Sequence, residues 1–287
     1  MRYVQLRAFH NVALHGGFSN AAKALHLTQP AISDQVRKLE EEYDTLLFNR
    51  EKRQVTLTEQ GEHLLEITKR LFENENQARE LLQENRAFSS GTLRLHVDSA
   101  CHVLAVLARF RQKFPQVRVE IRTGNSDQVI EALHDYRADI GVLGTVPDTA
   151  AIDVVRLGSS PIIAFTARTN PLSAHHSLSL KQLAGMALVL REKGSKTRQK
   201  LERAAKAQGI DLNGAIEAEG REAVQEIVAS GVGIGFVSQK EMAEDVRLAP
   251  IAISGTPILM EEAVVNLAER RGGRLIRAFI RMVQSPA

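Results

Sequence analysis

Apolar residues return every third or fourth position through the first 57 residues, then along one stripe of a longer segment. Beyond residue 91 they gather into short runs that alternate with helical patterns. In the first stretch Leu6, Phe9, Val12 and Ala13 keep helical spacing. A Gly16-Gly17 break follows. Ser19 is the expected N-cap of a second short helix that turns Ala21, Ala22 and Leu25 inward. After the turn His26–Thr28, Thr28 is expected to cap a third helix. Pro30 sits in its first turn, where a missing N–H costs little. Ile32, Val36, Leu39 and Tyr43 then recur at i, i+4, i+7 and i+11 and predict one buried stripe. Phe48 and Leu57 read as core on either side of a basic tip of Arg50, Lys52 and Arg53, on a two-stranded wing.

Residues 58–86 predict one long helix, started by Thr58 and Glu59. Leu64, Ile67, Leu71, Asn74, Ala78, Leu81 and Asn85 follow a strict 3-4 spacing, a seam of the kind by which paired helices fix their register. The seam either joins two copies of the chain or packs on its own domain. The polar flanks Glu66, Lys69, Arg70, Glu73, Arg79, Glu80 and Glu84 favour the pairing. "AFSSGT" (Ala87–Thr92) closes this segment as a linker.

From there strands and helices alternate: "TLRLHVD", "VRVEIRTG" and "DIGVLG" are strands with helical patterns between them. That series implies a parallel or mixed sheet with right-handed crossovers. A second series begins at Pro161 with "PIIAFTA", "MALVLRE" and "IGFVS", and the helical "RLIRAFIRMVQ" closes the chain. The expected division is 1–57, 58–90 and 91–287. In the last part, lobe I spans 91–161 plus 266–287 and lobe II spans 162–265, with crossings near Ser159–Pro161 and Glu262–Leu267.

Composition narrows the classes. With 287 residues and 44% hydrophobic content the chain can bury more than one core. Formal net charge is only +3, so a nucleic-acid site must be local, not a property of the whole surface. The single cysteine, Cys101, excludes an intrachain disulfide. No run of about 20 apolar residues is present, and Arg2 and Arg7 are followed by no apolar core. The chain is therefore expected to lack a membrane span and a signal peptide and to work in the cytoplasm. No G-x-S-x-G, phosphate-binding loop or nucleophile motif points to an enzyme. "SGVGIGF" (Ser230–Phe236) reads as structural, because it leads into a strand instead of opening a helix.

Helix, tight turn, second helix and basic wing are the parts of a winged helix-turn-helix. The outward face of the third helix carries Gln29, Ser33, Asp34, Gln35, Arg37 and Lys38. Short amides and hydroxyls near a helix start suit base edges, and the cations suit phosphates or the minor groove. The same residues would also serve as ordinary solvated positions. The span from Leu6 to Gly61 resembles the N-terminal domain of LysR-type transcriptional regulators. The matching residues are Phe9, Gly17, Phe18, Ala21, Ala22, Leu25, Gln29, Pro30, Ala31, Ser33, Leu39, Glu40, Leu46, Phe48, Arg50, Leu57, Thr58 and Gly61. Tyr43-Asp44 departs from the family's hydrophobic residue followed by Gly. Asp tolerates the left-handed turn better than most residues, so an intact C-cap is expected.

The resemblance implies an α/β fold with a winged helix-turn-helix at its start and a two-lobed effector domain like a periplasmic binding protein. It implies that Gln29, Pro30, Ala31 and Ser33 approach bases, and that Arg37, Arg50 and Arg53 approach the DNA backbone or minor groove. It implies a double-stranded operator as partner, a homodimer through the linker helix, and pairing of dimers into a homotetramer. A fainter similarity is to regulators of phosphonate use.

In a two-lobed α/β domain the ligand lies at strand ends and helix starts. "HVDSACHVL" supplies Ser99 and Ala100 there, "IRTGNSDQV" supplies Thr123, Gly124 and Asn125, and "LREKGSKTRQK" supplies Arg191, Ser195 and Thr197. Thr145 and Arg221 complete the set. Hydroxyls, free amides and cations at helix starts suit an anion, while each alone would also serve as a helix cap. Asp98, Glu219 and Glu222 could hold an amine, which extends the expected effector from a small anion to a zwitterion. No cofactor is expected. His102, His134, His175 and His176 do not keep metal-ligand spacing. Cys101 is either a redox sensor without a resolving partner or a cleft-lining thiol. The alternative is a DNA-binding protein whose C-terminal domain only oligomerises.

Overall fold

The computed structural model describes residues 1–51, 54–82, 91–242 and 244–285, with 50, 51, 54, 80 and 81 described by their backbone alone. Two compact units emerge, Met1–Asn85 and Arg86–Ala287.

The first unit holds α1 (Tyr3–Leu14), α2 (Phe18–Leu25), α3 (Gln29–Glu42), the hairpin β1 (Phe48–Glu51) and β2 (Gln54–Leu57), and α4 (Glu59–Leu82). Phe9, Val12, Ala21, Ile32, Val36, Leu39 and Phe48 meet in its core. Ser19 does not cap α2. The helix already starts at Phe18, whose ring packs edge-on against Phe48 at 5.7 Å, and Gly17 takes the N-cap position. Thr28 occupies the N-cap position of α3 without a side-chain cap bond. Tyr43 leaves the expected stripe: α3 ends at Glu42, and Tyr43 is 54% exposed in the turn. Asp44 enters the left-handed region at φ +46, so the C-cap forms without the glycine.

The buried carboxylate of Glu40 accepts from the amides of Leu47 and Phe48 at 2.9 and 3.3 Å and fixes where the wing begins. Thr58 Oγ1 donates to the Leu46 carbonyl at 2.7 Å and accepts from the Gly61 amide at 3.0 Å, which starts α4. A Cβ at Gly61 would lie 2.2 Å from the Leu47 carbonyl oxygen, so the close approach requires glycine. One side of α4 packs on α1: Thr68 Oγ1 sits 3.1 Å from His10 Nδ1, and Phe72 packs against His10 and Tyr3. Of the expected seam, Leu64 joins this unit's own core, whereas Ile67, Leu71, Asn74 and Ala78 face outward. Leu81 and Asn85 lie outside the described side chains.

The second unit runs β3 (Gly91–Val97), a 3-10 turn (Ala100–Val103), α5 (Leu104–Lys113), β4 (Val117–Thr123), α6 (Ser126–His134), β5 (Ile140–Leu143), β6 (Ile152–Ala167), β7 (Ser177–Leu178), α7 (Leu180–Ala184), β8 (Leu188–Arg191), α8 (Lys196–Lys206), β9 (Gly214–Ala218), α9 (Arg221–Ala229), β10 (Ile234–Ser238), a 3-10 turn (Gln239–Glu241), β11 (Leu248–Ile253), β12 (Leu259–Leu267) and α10 (Arg274–Gln284). The strand order β4-β3-β5-β12-β6 forms one lobe, and β6-β10-β8-β9, with β11 on the far side of β6, forms the other. Strand β6 belongs to both. Its first half pairs with β12, and its second half, from Ile162, pairs with β10. The first crossing therefore falls at Pro161–Ile162. The return crossing falls inside the expected Glu262–Leu267 span, a few residues before the expected start of the returning part at 266: Ala263–Val265 already pair with β5 of the first lobe, and the strand is irregular between Glu262 and Ala263. The last helix, α10, rejoins the first lobe, with Phe279 edge-on to Phe110 of α5 at 5.5 Å.

Candidate DNA-reading helix and effector cleft

Pro30, Ser33, Arg37 and Glu41 follow one another along α3 on the face opposite Ile32, Val36 and Leu39. Gln29, Pro30, Ala31 and Arg37 are exposed and Ser33 is half-buried. Arg37 is held on its own helix, donating to Asp34 at 2.9 Å and to Glu41 at 2.7 Å, and Lys38 pairs with Asp34 at 2.6 Å. These hydrogen bonds from Lys38 and Arg37 keep the Asp34 carboxyl below its usual range. Such exposed pairs are weak and readily exchanged for phosphate. The Arg50 backbone pairs with Val55 in the hairpin, which sets the wing. Lys52 and Arg53 lie outside the described residues.

In the second unit the carboxyl ends of β3, β4, β8 and β9 converge on a cavity of about 580 Å³. Ser99, Ala100, Thr123, Gly124, Asn125, Arg191 and Arg221 all line it. Ser195 and Thr197 do not. They open onto an adjoining space of about 10 Å³, room for a single water. Thr145 lines neither space, because the chain past β5 is tied down where the Gly144 amide donates to Asp98. Capping also occurs: Asn125 accepts from the Asp127 and Gln128 amides at 3.1 Å, and Ser195 Oγ accepts from Arg198. Bridges run between the lobes here. Lys196 meets Asp127 at 2.8 Å, and Arg221 donates to the Asp98 carbonyl at 3.3 Å. A Cβ at Gly194 would lie 2.5 Å from Asn125, so a larger residue would push the lobes apart at that point.

The cations are not idle. Arg191 forks to Glu192 at 2.9 and 2.7 Å, and Arg221 meets Glu241 at 2.8 Å. Glu241 also accepts from His102 Nε2 at 2.9 Å, and Glu262 lies 3.7 Å from His102 Nδ1. Burial opposes the charge on His102, but its contacts with Cys101 and Glu241 overrule that and raise it to about 10. Burial likewise works against ionised Glu241, yet the His102 hydrogen bond and the Arg221 charge hold it below the usual carboxylate range. Burial also works against a thiolate at Cys101, and hydrogen bonds with His102 and Ser99 bring the thiol below its ordinary value. Asp98 goes the other way: burial, reinforced by the Glu241 charge, pushes it up to about 6. Two residues that line the cavity each hold a buried atom with no hydrogen-bond partner among the described residues: the acceptor Asp98 Oδ1 and the donor Gln225 Nε2. His102, Lys240, Glu241, Glu262 and Gln225 carry no local motif. Lys240, Glu241 and Gln225 line the cavity, and His102 and Glu262 stand behind them on Glu241 and Lys240.

Family models place this architecture. Residues 3–62 match the bacterial regulatory helix-turn-helix protein, lysR family, and residues 86–286 match the LysR substrate binding domain. The chain is 31% identical over 276 residues to a RuBisCO operon transcriptional regulator of Allochromatium vinosum, covering 94% of this chain and 90% of that protein. It is 30% identical over 258 residues to the transcriptional regulator YeiE of Escherichia coli, covering 88% and 86%. A full-length OxyR variant from Pseudomonas aeruginosa shares the fold at TM-score 0.79 and 20% identity, covering 99% and 95% of the two chains. Full-length CbnR complexed with target DNA shares it at TM-score 0.68 and 21% identity, covering 99% of each. No described helix is long and apolar enough to cross a membrane. The chain belongs to the LysR family of DNA-binding transcriptional regulators, which are not enzymes, with a helix-turn-helix at its start and a substrate-binding domain after it.

Proposed function

We propose that this regulator responds to a small zwitterion bound in the interlobe cleft, and that binding shifts its placement on DNA. The orphaned pair Asp98 Oδ1 and Gln225 Nε2 carries the reading. A buried polar atom without a partner is costly, and one ligand offering both a donor and an acceptor relieves both. Asp98, Glu219 and Glu222 suit an amine, while Arg191, Arg221 and Lys240 on the same cavity suit an acid group. Amino acids and aminophosphonates both fit this chemistry. The names of the relatives above lend the phosphonate reading no support. The outward residues Ile67, Leu71, Asn74 and Ala78 support dimers through α4, and two dimers would form the tetramer. In such an assembly Gln29, Pro30, Ala31 and Ser33 read bases and Arg37, Arg50 and Arg53 hold the backbone or minor groove. A ligand with different affinities for two cleft states would move their populations and with them the DNA-binding pairs.

A thermal-shift screen of the full-length protein tests this with matched pairs: glutamate against glutarate, and 2-aminoethylphosphonate against ethylphosphonate. A ligand at about 100 times its Kd stabilises by about 2.7 kcal/mol. Stabilisation by amine-bearing members alone is expected. Equal stabilisation by amine-free members would replace the zwitterion with a simple anion. Silence across amino acids, phosphonates, sulfate, phosphate and dicarboxylates would leave a domain that only assembles the protein on DNA.

A further inference from the structure

We propose that Cys101, His102 and Glu241 form a binding site for a thiophilic divalent cation, with Zn2+ the best fit. The Cys101 Sγ, a His102 ring nitrogen and a Glu241 carboxylate oxygen lie within 4.8 Å of one another. Thiolate, imidazole and carboxylate are a donor set for zinc, and three protein donors leave a fourth position open. Cys101 and Glu241 line the cavity, so that position faces the cleft. The two negative donors, thiolate and carboxylate, balance the ion's charge.

The surroundings are those of a built site. His102 Nε2 faces Glu241 at 2.9 Å, and the buried Glu262 carboxylate stands 3.7 Å from Nδ1, on the far side of the ring. At that distance Glu262, itself paired with Lys240 at 2.9 Å, adds negative charge behind the ring without a hydrogen bond to it. Arg221 holds the second oxygen of Glu241 at 2.8 Å, which leaves the first for the metal. Ser99 Oγ lies 3.1 Å from the sulfur and can donate to a thiolate. Asp98, with its unpartnered Oδ1, adds a further acceptor to the same cavity. On binding, the thiol proton and the proton held between His102 and Glu241 pass to solvent and the metal takes their place. No oxidation state changes. The donors come from adjacent residues in the 3-10 turn after β3 and from the turn after β10, so metal binding would clamp the two lobes together.

The test is a Co2+ titration of the metal-stripped full-length protein without any effector, followed by displacement with Zn2+. Because the sequence has one cysteine, a thiolate-to-cobalt charge-transfer band reports Cys101 alone. The expected result is a band that saturates at one Co2+ per chain, bleaches with Zn2+ and is absent in Cys101→Ser, whose exposed side chain tolerates the change. His102→Gln should weaken binding at least about tenfold. A wild-type protein with no band overturns the site. So does a band that keeps its affinity in His102→Gln. Both results leave the zwitterion reading untouched.

Discussion

His10 and His102 are both withdrawn from water, one in each structural unit, and they differ in charge. His10 sits between α1 and α4 against Thr68 and Phe72. Burial, with the Lys69 charge beside it, lowers its pKa to about 4, so it is neutral. His102 is also opposed by burial, yet Cys101 and Glu241 raise it to about 10, so it is a cation. Two of the buried glutamates, Glu40 and Glu241, differ in the same way. Glu40 serves the backbone by accepting from the Leu47 and Phe48 amides, whereas Glu241 bridges two cations, His102 and Arg221. The first unit keeps its buried histidine neutral and sets Arg37 and Lys38 on the exposed face of α3. The second unit concentrates charge inside its cleft, where a ligand would meet it.

The sharpest way to break this contrast is Glu241→Ala, which strands two buried cations and should cost about 3–5 kcal/mol in urea unfolding. Glu40→Ala should cost only about 1–3 kcal/mol, the loss of one acceptor for two amides. Equal costs would mean that the cleft charges are better solvated than their burial implies.

Acid should separate the units next. A histidine whose folded pKa is depressed contributes stability that is present above 6.5 and lost as pH falls toward about 4. For His10 the loss is at most about 3 kcal/mol, less what solvent screening removes. Melting of the full chain between pH 7 and 4.5, with His10→Gln as control, should show this acid-labile part in the wild type and not in the variant.

How far each region was legible follows from the same contrast. The outward face of α3, the core stripe Ile32-Val36-Leu39 and the left-handed Asp44 are local, so helical period and turn chemistry expose them. Ser19 and Tyr43 were misplaced because helix ends depend on packing, here of Phe18 on Phe48 and of the turn after Glu42. In the second unit, strands opening at clear helix–strand alternations were legible, and so were Ser99, Thr123 and Arg191 at their ends. The first half of β6, together with β9, β11 and β12, lacked such punctuation. The cluster of His102, Glu241 and Glu262 is brought together only by the crossing strands, so no spacing announces it.

A smaller effect is expected from Asp98→Asn. A carboxyl raised to about 6 by burial destabilises the fold once ionised, so its stabilising share is full below its unfolded pKa near 3.8 and lost as pH rises through 6. The amide removes that pH dependence, and it should weaken amine-bearing ligands at least about tenfold, worth about 1.4 kcal/mol, by calorimetry. The smallest effect on stability belongs to Arg37→Ala, because the arginine and its partners are exposed. Its operator affinity should fall with a salt slope reduced by about 1.

The most direct measurement is operator binding by fluorescence anisotropy, using a duplex selected in vitro, with and without the amine-bearing compound that most stabilises the protein. Wild type should change its operator affinity on adding the compound. Asp98→Asn should bind the duplex as tightly as wild type and show no change. An identical shift in both proteins would contradict a cleft-bound zwitterion acting through Asp98.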